Sequence, residues 1–328
     1  MKAMDLKTKA RLISVGKVEL PEVFSPSGPV STAGPGAGEK NVFFKSGDRR
    51  VRLSVAENSS LKLVELAGDE VAIFENGVEV ARGVLERPLL HCPKQAYITV
   101  SERCIYDCKF CAVPKLFGGV KSKEKVEKMV AEAWDTGELE AISLTSGVER
   151  SPEEEVERVA EIVKALRKFD VPIGVSVTPA KRSSEILKAA GADEIKYNVE
   201  CLDPDLFRRV CPGVSLEKIK MALSDAVDKF GENRVFSNVI VGLGESDRAL
   251  QEGIEELAEL GVLPVIRAVY PHPLRRGEIE MIRPSAERLI DLACRTRRVL
   301  DEHGLRGDLA ETGCYRCTGC DLIPHRDL

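Results

Sequence analysis

From residue 96 onward the chain alternates two patterns. Short, almost continuously apolar runs occur at 96–102, 141–146, 173–179, 194–200, 234–242 and 265–271. After each comes a stretch in which apolar residues recur every three or four positions. These stretches are 123–134, 153–169, 183–191, two segments between 203 and 230, 247–261 and 286–304. Unbroken apolar strands suit a sheet covered on both faces, and the 3.6-residue period marks amphipathic helices. The pattern predicts an α/β fold: a partial, six-unit (β/α)6 TIM-like barrel over residues 93–304. In such folds the chemistry gathers where the strands end.

The flanks read differently. A short helical start leads into PEVFSPSGPVSTAGPGAG (21–38), whose Pro, Gly and Ser content predicts loop, either a linker or an ordered lid. Strand-like runs follow: NVFFK, RRVRLSV, LKLVEL, EVAIFE and VEVARGVLE. Glu75-Asn76-Gly77 between the last two is a hairpin signal. Residues 1–92 are therefore expected to form a small, mostly β N-terminal module. Residues 305–328 form a C-terminal tail beyond the last helix.

The chain has 328 residues, 43% hydrophobic and 31% charged, with a formal charge of −5. That apolar share supports a packed core. A mildly acidic balance without basic runs argues against general nucleic-acid binding. No apolar run approaches the ~20 residues of a membrane helix. The N-terminus lacks the apolar core of a signal peptide. A cytoplasmic protein is expected. Low Met content and Glu/Lys-rich helices also fit a thermophile.

Ten cysteines change the picture, because six fall in two tight groups. In a reducing compartment, clustered cysteines more often bind metal than form disulfides. Cys104, Cys108 and Cys111 lie in SERCIYDCKFC directly after the first barrel strand. Three thiolates on one loop suit three irons of a cubane cluster and leave the fourth iron open. A structural zinc site usually draws four ligands from two separated pairs.

With Phe110 before the third cysteine, this C-x3-C-x2-C element resembles the radical S-adenosylmethionine (SAM) superfamily. The resemblance implies a [4Fe-4S] cluster on Cys104, Cys108 and Cys111 whose open iron binds SAM. It also implies reductive cleavage of SAM to a 5′-deoxyadenosyl radical that abstracts hydrogen. Phe110 would lie against the adenine. Three further stretches are similar to lipoyl synthases. ISLTSGVER (142–150) resembles their Leu-Thr-Ser-Val-Asp-Arg element. YNVECLDPDLFRRVCPG (197–213) resembles His-Asn-x-Glu-Thr with Arg-Pro-Gly, Tyr197 and Cys211 replacing His and Arg. SNVIVGLGESD (237–247) carries a Gly-Leu-Gly-Glu shared with biotin synthases. The resemblance makes Thr145, Ser146, Asn198, Glu200, Gly242 and Gly244 candidate SAM contacts. Asn198 is otherwise a helix cap, and Glu200 a surface ion-pair partner.

Cys314, Cys317 and Cys320 form GCYRCTGC near the C-terminus. Three cysteines in seven residues suit an auxiliary Fe–S cluster; zinc, completed by Cys92 or His325, is the other reading. Neither the N-terminal cysteine motif of lipoyl synthases nor the dispersed cysteines and arginine of biotin synthases is recognisable. Cys92 is a candidate fourth ligand, although it precedes the first barrel strand and so belongs to the opposite barrel end. Cys201 either faces the pocket or packs in the core. Cys211 and Cys294 read as packing residues.

Two clusters suggest sulfur insertion at an unactivated carbon. The resemblance extends to archaeal biotin synthase-related proteins, some of which form half of a two-component lipoyl synthase. It implies an octanoylated carrier protein as substrate, a second radical SAM subunit and a reductant such as ferredoxin or flavodoxin. The alternatives are biotin synthesis from dethiobiotin, a radical reaction using the second cluster for electron transfer or anchoring, and a non-enzymatic Fe–S scaffold.

Overall fold

The computed structural model describes residues 3–22 and 37–328, so most of the Pro/Gly-rich stretch lies outside the described residues. Helix α1 (Leu6–Val15) begins at Asp5, whose carboxylate accepts the Thr8 amide, and ends at Gly16 in the left-handed region. Six short strands follow: β1 (Lys17–Val18), β2 (Asn41–Ser46), β3 (Arg49–Val55), β4 (Leu61–Glu65), β5 (Glu70–Glu75) and β6 (Val78–Glu86). They form one sheet in the order β1-β3-β2-β6-β5-β4, antiparallel except where β1 runs parallel to β3. At the predicted hairpin Asn76 and Gly77 both take positive φ, 51° and 81°. A two-residue turn matching strand twist requires this.

The second sheet comprises β7 (Gln95–Thr99), β8 (Ala141–Thr145), β9 (Ile173–Ser176), β10 (Glu194–Lys196), β11 (Val235–Val241) and β12 (Leu263–Ala268). All are parallel and lie in chain order. The intervening helices are α2 (Lys123–Trp134), α3 (Pro152–Leu166), α4 (Ser183–Ala190), α5 (Pro204–Val210), α6 (Leu216–Phe230), α7 (Asp247–Glu259) and α8 (Ala286–Glu302). Five of them start the same way. Ser122, Ser151, Ser215, Ser246 and Ser285 each accept a backbone N–H of the first turn. Such caps satisfy donors that the helix leaves unpaired. Side chains from all six strands, namely Tyr97, Thr145, Ser176, Lys196, Asn238 and Arg267, line one cavity. The sheet is thus curled into the expected partial barrel.

The fourth strand is shorter than the predicted 194–200. Pairing stops at Lys196, and beyond it only Glu200 bridges to Val239. Glu200 itself sits at φ 55°. The tail is also more structured than expected: it contains α9 (Gly313–Cys317). One core cluster fills the barrel. A second joins α1 and the N-terminal sheet to α8, with Leu12, Val51, Leu53 and Ile73 meeting Leu289 and Ala293.

Candidate active site

The first cysteine loop follows β7 and is held by backbone bonds to its neighbours. The Ile105 amide donates to Val148 O and the Lys109 amide to Val210 O. Gly147 lets the next strand end come close, because a Cβ there would meet Arg103 O at 2.1 Å. The strongest clamp is Arg275. Its side chain is fully buried; Nε donates to Cys111 O at 2.6 Å, and Nη1 pairs with Asp107 at 2.6 Å and Glu278 at 2.8 Å. Burial pushes the Cys111 thiol up to about 12. Such a thiol keeps its proton unless a metal takes its place.

A cavity of about 190 Å3 begins at this loop, with Phe110 and Cys111 in its wall. Thr145, Asn198 and Glu200 line it as well. Asn198 is not a helix cap, since Asp203 caps α5. Its Oδ1 accepts the Asn238 amide. Nor is Glu200 a surface residue: burial raises its carboxyl to about 7, opposed by Lys196, Arg267 and Asn198. Asn238 Oδ1 is buried in the structure without a hydrogen-bond partner.

Other candidates lie elsewhere. The Ser146 hydroxyl is engaged with the Ser101 amide and Glu155. Gly242 and Gly244, at φ 109° and 106°, line a separate depression near Arg209 and Arg288. Their Gly-Leu-Gly-Glu turn is closed by its own glutamate, Glu245, which accepts the Gly242 and Leu243 amides and pairs with Arg288. Tyr197 points toward α4, where Ser183 and Ser184 meet its hydroxyl. Cys201 is buried and its thiol meets Asp203 O. Cys211 is buried beside Cys108, and its thiol is held protonated by donating to Cys108 and by burial, which raises its pKa. Cys294 is exposed on α8 and is no packing residue.

The tail enters the barrel from the end where the strands begin. Thr312 bonds Glu194, the first residue of β10. The Gly313 amide reaches Gln95, the first of β7, and Tyr315 donates to Pro264 O in β12. Cys314, Cys317 and Cys320 therefore line the same cavity as Cys111, from the opposite end. Cys92 belongs to that end too, and it hydrogen-bonds Cys317. That contact pushes the Cys92 thiol up and lowers Cys317 to about 7. Arg267 Nη2 lies 3.1 Å from Cys314 Sγ and 2.6 Å from Asp321. His325 is instead engaged with Asp301 and the Gly307 amide. Lys196 and Arg267 were missed in the sequence, because a cation inside a strand carries no motif. Arg275 was missed because it sits far along the chain from the cysteines that it clamps.

A sequence model of the radical SAM superfamily matches residues 98–266. The chain belongs to this superfamily. Among curated relatives it is 27% identical to a lipoyl synthase of Glaesserella parasuis, over 52% of this chain and 55% of that one. It is 30% identical to a biotin synthase of a Hydrogenobaculum species, over 49% and 50%. It is also 24% identical to a probable GTP 3′,8-cyclase of Thermococcus kodakarensis, over 61% and 66%. The chain thus spans about half to two thirds of these relatives. The crystal structure of a methylornithine synthase superposes with a TM-score of 0.52 at 16% identity, covering 62% of each chain, which shows the fold.

Radical SAM membership implies a [4Fe-4S] cluster and SAM. The residues fit that pair: three thiols on one clamped loop, an aromatic beside them, and an unpaired amide oxygen in the adjoining wall. Among the described residues no three His, Cys, Asp or Glu side chains converge as a single ion requires. A cubane makes no such demand, since each thiolate binds a different iron. No helix among the described residues is long and apolar enough to cross a membrane.

Proposed function

We propose that the chain is a sulfur-inserting radical SAM enzyme acting at an unactivated carbon, as a lipoyl synthase component. The observation that carries this reading is the single cavity walled by Cys111 at one end and by Cys314, Cys317 and Cys320 at the other. In it Cys104, Cys108 and Cys111 hold the SAM-binding cluster and the tail cysteines hold a second, sacrificial one. When bound, the first cluster with SAM supplies one-electron cleavage chemistry, and the second supplies sulfur. Phe110, Thr145, Asn198 and Glu200 position SAM; Asn238 offers a further acceptor. In the net change, a C–H bond gives way to a C–S bond and the hydrogen leaves on 5′-deoxyadenosine. An external reductant, a ferredoxin or flavodoxin, would provide the electron that cleaves SAM, and the electron released as the C–S bond forms would be taken up by the iron of the second cluster. The substrate is an octanoyl-lysine on a carrier protein, with a second radical SAM subunit adding the other sulfur.

One observation favours a second reading. The tail cysteines lie inside the barrel with Arg267 against Cys314, an arrangement that resembles biotin synthase more than the sequence suggested. Dethiobiotin is then the substrate. The test is anaerobic incubation of the reconstituted protein with SAM and reductant, offering octanoyl-lysine peptide (with and without a partner subunit) or dethiobiotin. A sulfur mass gain on the octanoyl chain supports the first reading, and on dethiobiotin the second. Release of 5′-deoxyadenosine with sulfur in neither rejects both.

A further inference from the structure

The second cysteine group has a fourth member that its spacing does not announce. Cys92 lies just before β7, more than two hundred residues from the tail, yet its thiol bonds that of Cys317. Both are nearly inaccessible, 1% and 7% exposed, and pack together under Phe43 of the N-terminal sheet. Cys314 and Cys320 share their cavity. The turn that presents Cys317 and Cys320 is tight: Thr318 sits at φ 58°, and a Cβ on Gly319 would meet Phe43 at 2.9 Å. The other cysteines are placed elsewhere, as described above.

The surroundings are cationic. Arg50 donates to Cys317 O but is paired with Glu86. Arg267 touches Cys314 and is paired with Asp321. Lys196 Nζ lies 3.9 Å from Cys314 Sγ. Arg52, whose amide donates to Gly319 O, has its Nε and Nη2 buried with no hydrogen-bond partner. Unpaired buried guanidinium nitrogens are costly unless something anionic meets them. A disulfide between Cys92 and Cys317 would leave these cations unanswered.

We propose that Cys92, Cys314, Cys317 and Cys320 form one four-thiolate site for an iron–sulfur cluster, roofed by the N-terminal sheet, with Arg52 and Arg267 facing its negative charge. This rests on the reading that the tail holds a cluster, and adds its fourth ligand. All four irons are then protein-ligated, so this cluster, unlike the first, has no iron for SAM. The N-terminal sheet gains a function as well, because Arg50, Arg52 and Phe43 all come from it.

The test uses the Cys104/Cys108/Cys111→Ala triple variant, which leaves only the second site. After anaerobic reconstitution it should hold about four irons per chain. Its reduced EPR spectrum should not change when SAM is added. Adding Cys92→Ala should cost at least about one iron or give a Mössbauer spectrum with one distinct iron. Cys92→Ser should keep more iron with an altered spectrum. Cys92→Ala in the otherwise wild-type chain should retain the SAM-responsive signal of the first site, which shows that the barrel still folds. Unchanged iron and spectra in both Cys92 variants overturn the proposal. So does loss of the cluster on Arg267→Ala with no effect of Cys92, which would make Arg267 the ligand. One tightly bound zinc, or loss of two free thiols in the metal-free protein, overturns it as well. Absence of sulfur insertion with this cluster intact counts only against the function proposed above.

Discussion

Arg275 shows what a single side chain does here. It ties the Cys111 carbonyl, Asp107 and Glu278 into one knot beneath the first cysteine loop. Removing it leaves the Cys111 carbonyl without its side-chain donor, while Asp107 and Glu278 keep Lys109 and Lys115. Arg275→Ala should destabilise the protein by about 1–3 kcal/mol. It should also release iron from the first site faster than from the second. Arg275→Lys should be intermediate, since an ammonium keeps charge but not the planar fork. Chelator-driven iron loss followed by EPR checks both. Glu200 carries a pH dependence. Burial raises its carboxyl from 4.5 to about 7, so the folded state binds the proton more tightly than the unfolded one. Its contribution is favourable below pH 4.5 and is lost as pH rises to about 7, on the order of 3 kcal/mol across that window. Glu200→Gln should flatten the stability curve of the metal-free protein there, as read by urea unfolding at pH 5 and pH 7.5. A curve unchanged by the substitution would remove Glu200 as the titrating group. The cysteine motifs were legible because their spacing is local. Lys196, Arg52 and Arg267 were not, because only the fold brings them together around the candidate ligand Cys92.

Among the elements, the tail depends on a glycine in another strand. A Cβ on Gly174 of β9 would meet Thr312 Oγ1 at 2.0 Å, and Thr312 is the residue that docks the tail on Glu194. Gly174→Val should therefore push α9 out of the barrel while leaving the first cysteine loop in place. Hydrogen exchange should rise across residues 310–320, and iron at the second site should fall while the first site keeps its own. Equal loss at both sites would instead mean that the barrel itself is disrupted. The six strands and their helices were readable from period alone, since a buried parallel strand must be apolar along its length. What period does not reveal is where pairing stops. The run 194–200 alternates polar and apolar residues over a length that suits a long strand, yet β10 ends at Lys196, and Glu200 turns through positive φ. The destination of the tail was equally hidden: its length lets it reach either end of the barrel, and packing of Thr312 and Tyr315 decides between them.

At the scale of the molecule, the N-terminal sheet and the barrel do not own separate cores. Leu53 of β3 is fully buried, in a cluster that also contains Leu289 and Ala293 of the last barrel helix. Lys9 of α1, buried against Asp327, adds a polar link to the tail. A shared core couples the stability of both parts, because opening either exposes the apolar face of the other. Leu53→Ala should cost about 2–5 kcal/mol through the cavity it leaves. The loss should appear as faster hydrogen exchange in α8 as well as in β2 and β3. Exchange that rises in the sheet alone would mean that the sheet opens by itself. The same coupling bears on chemistry, since this sheet lays Arg50 and Arg52 over the tail cysteines. Loosening it should weaken iron retention at the second site more than at the first, in step with the exchange of β2 and β3.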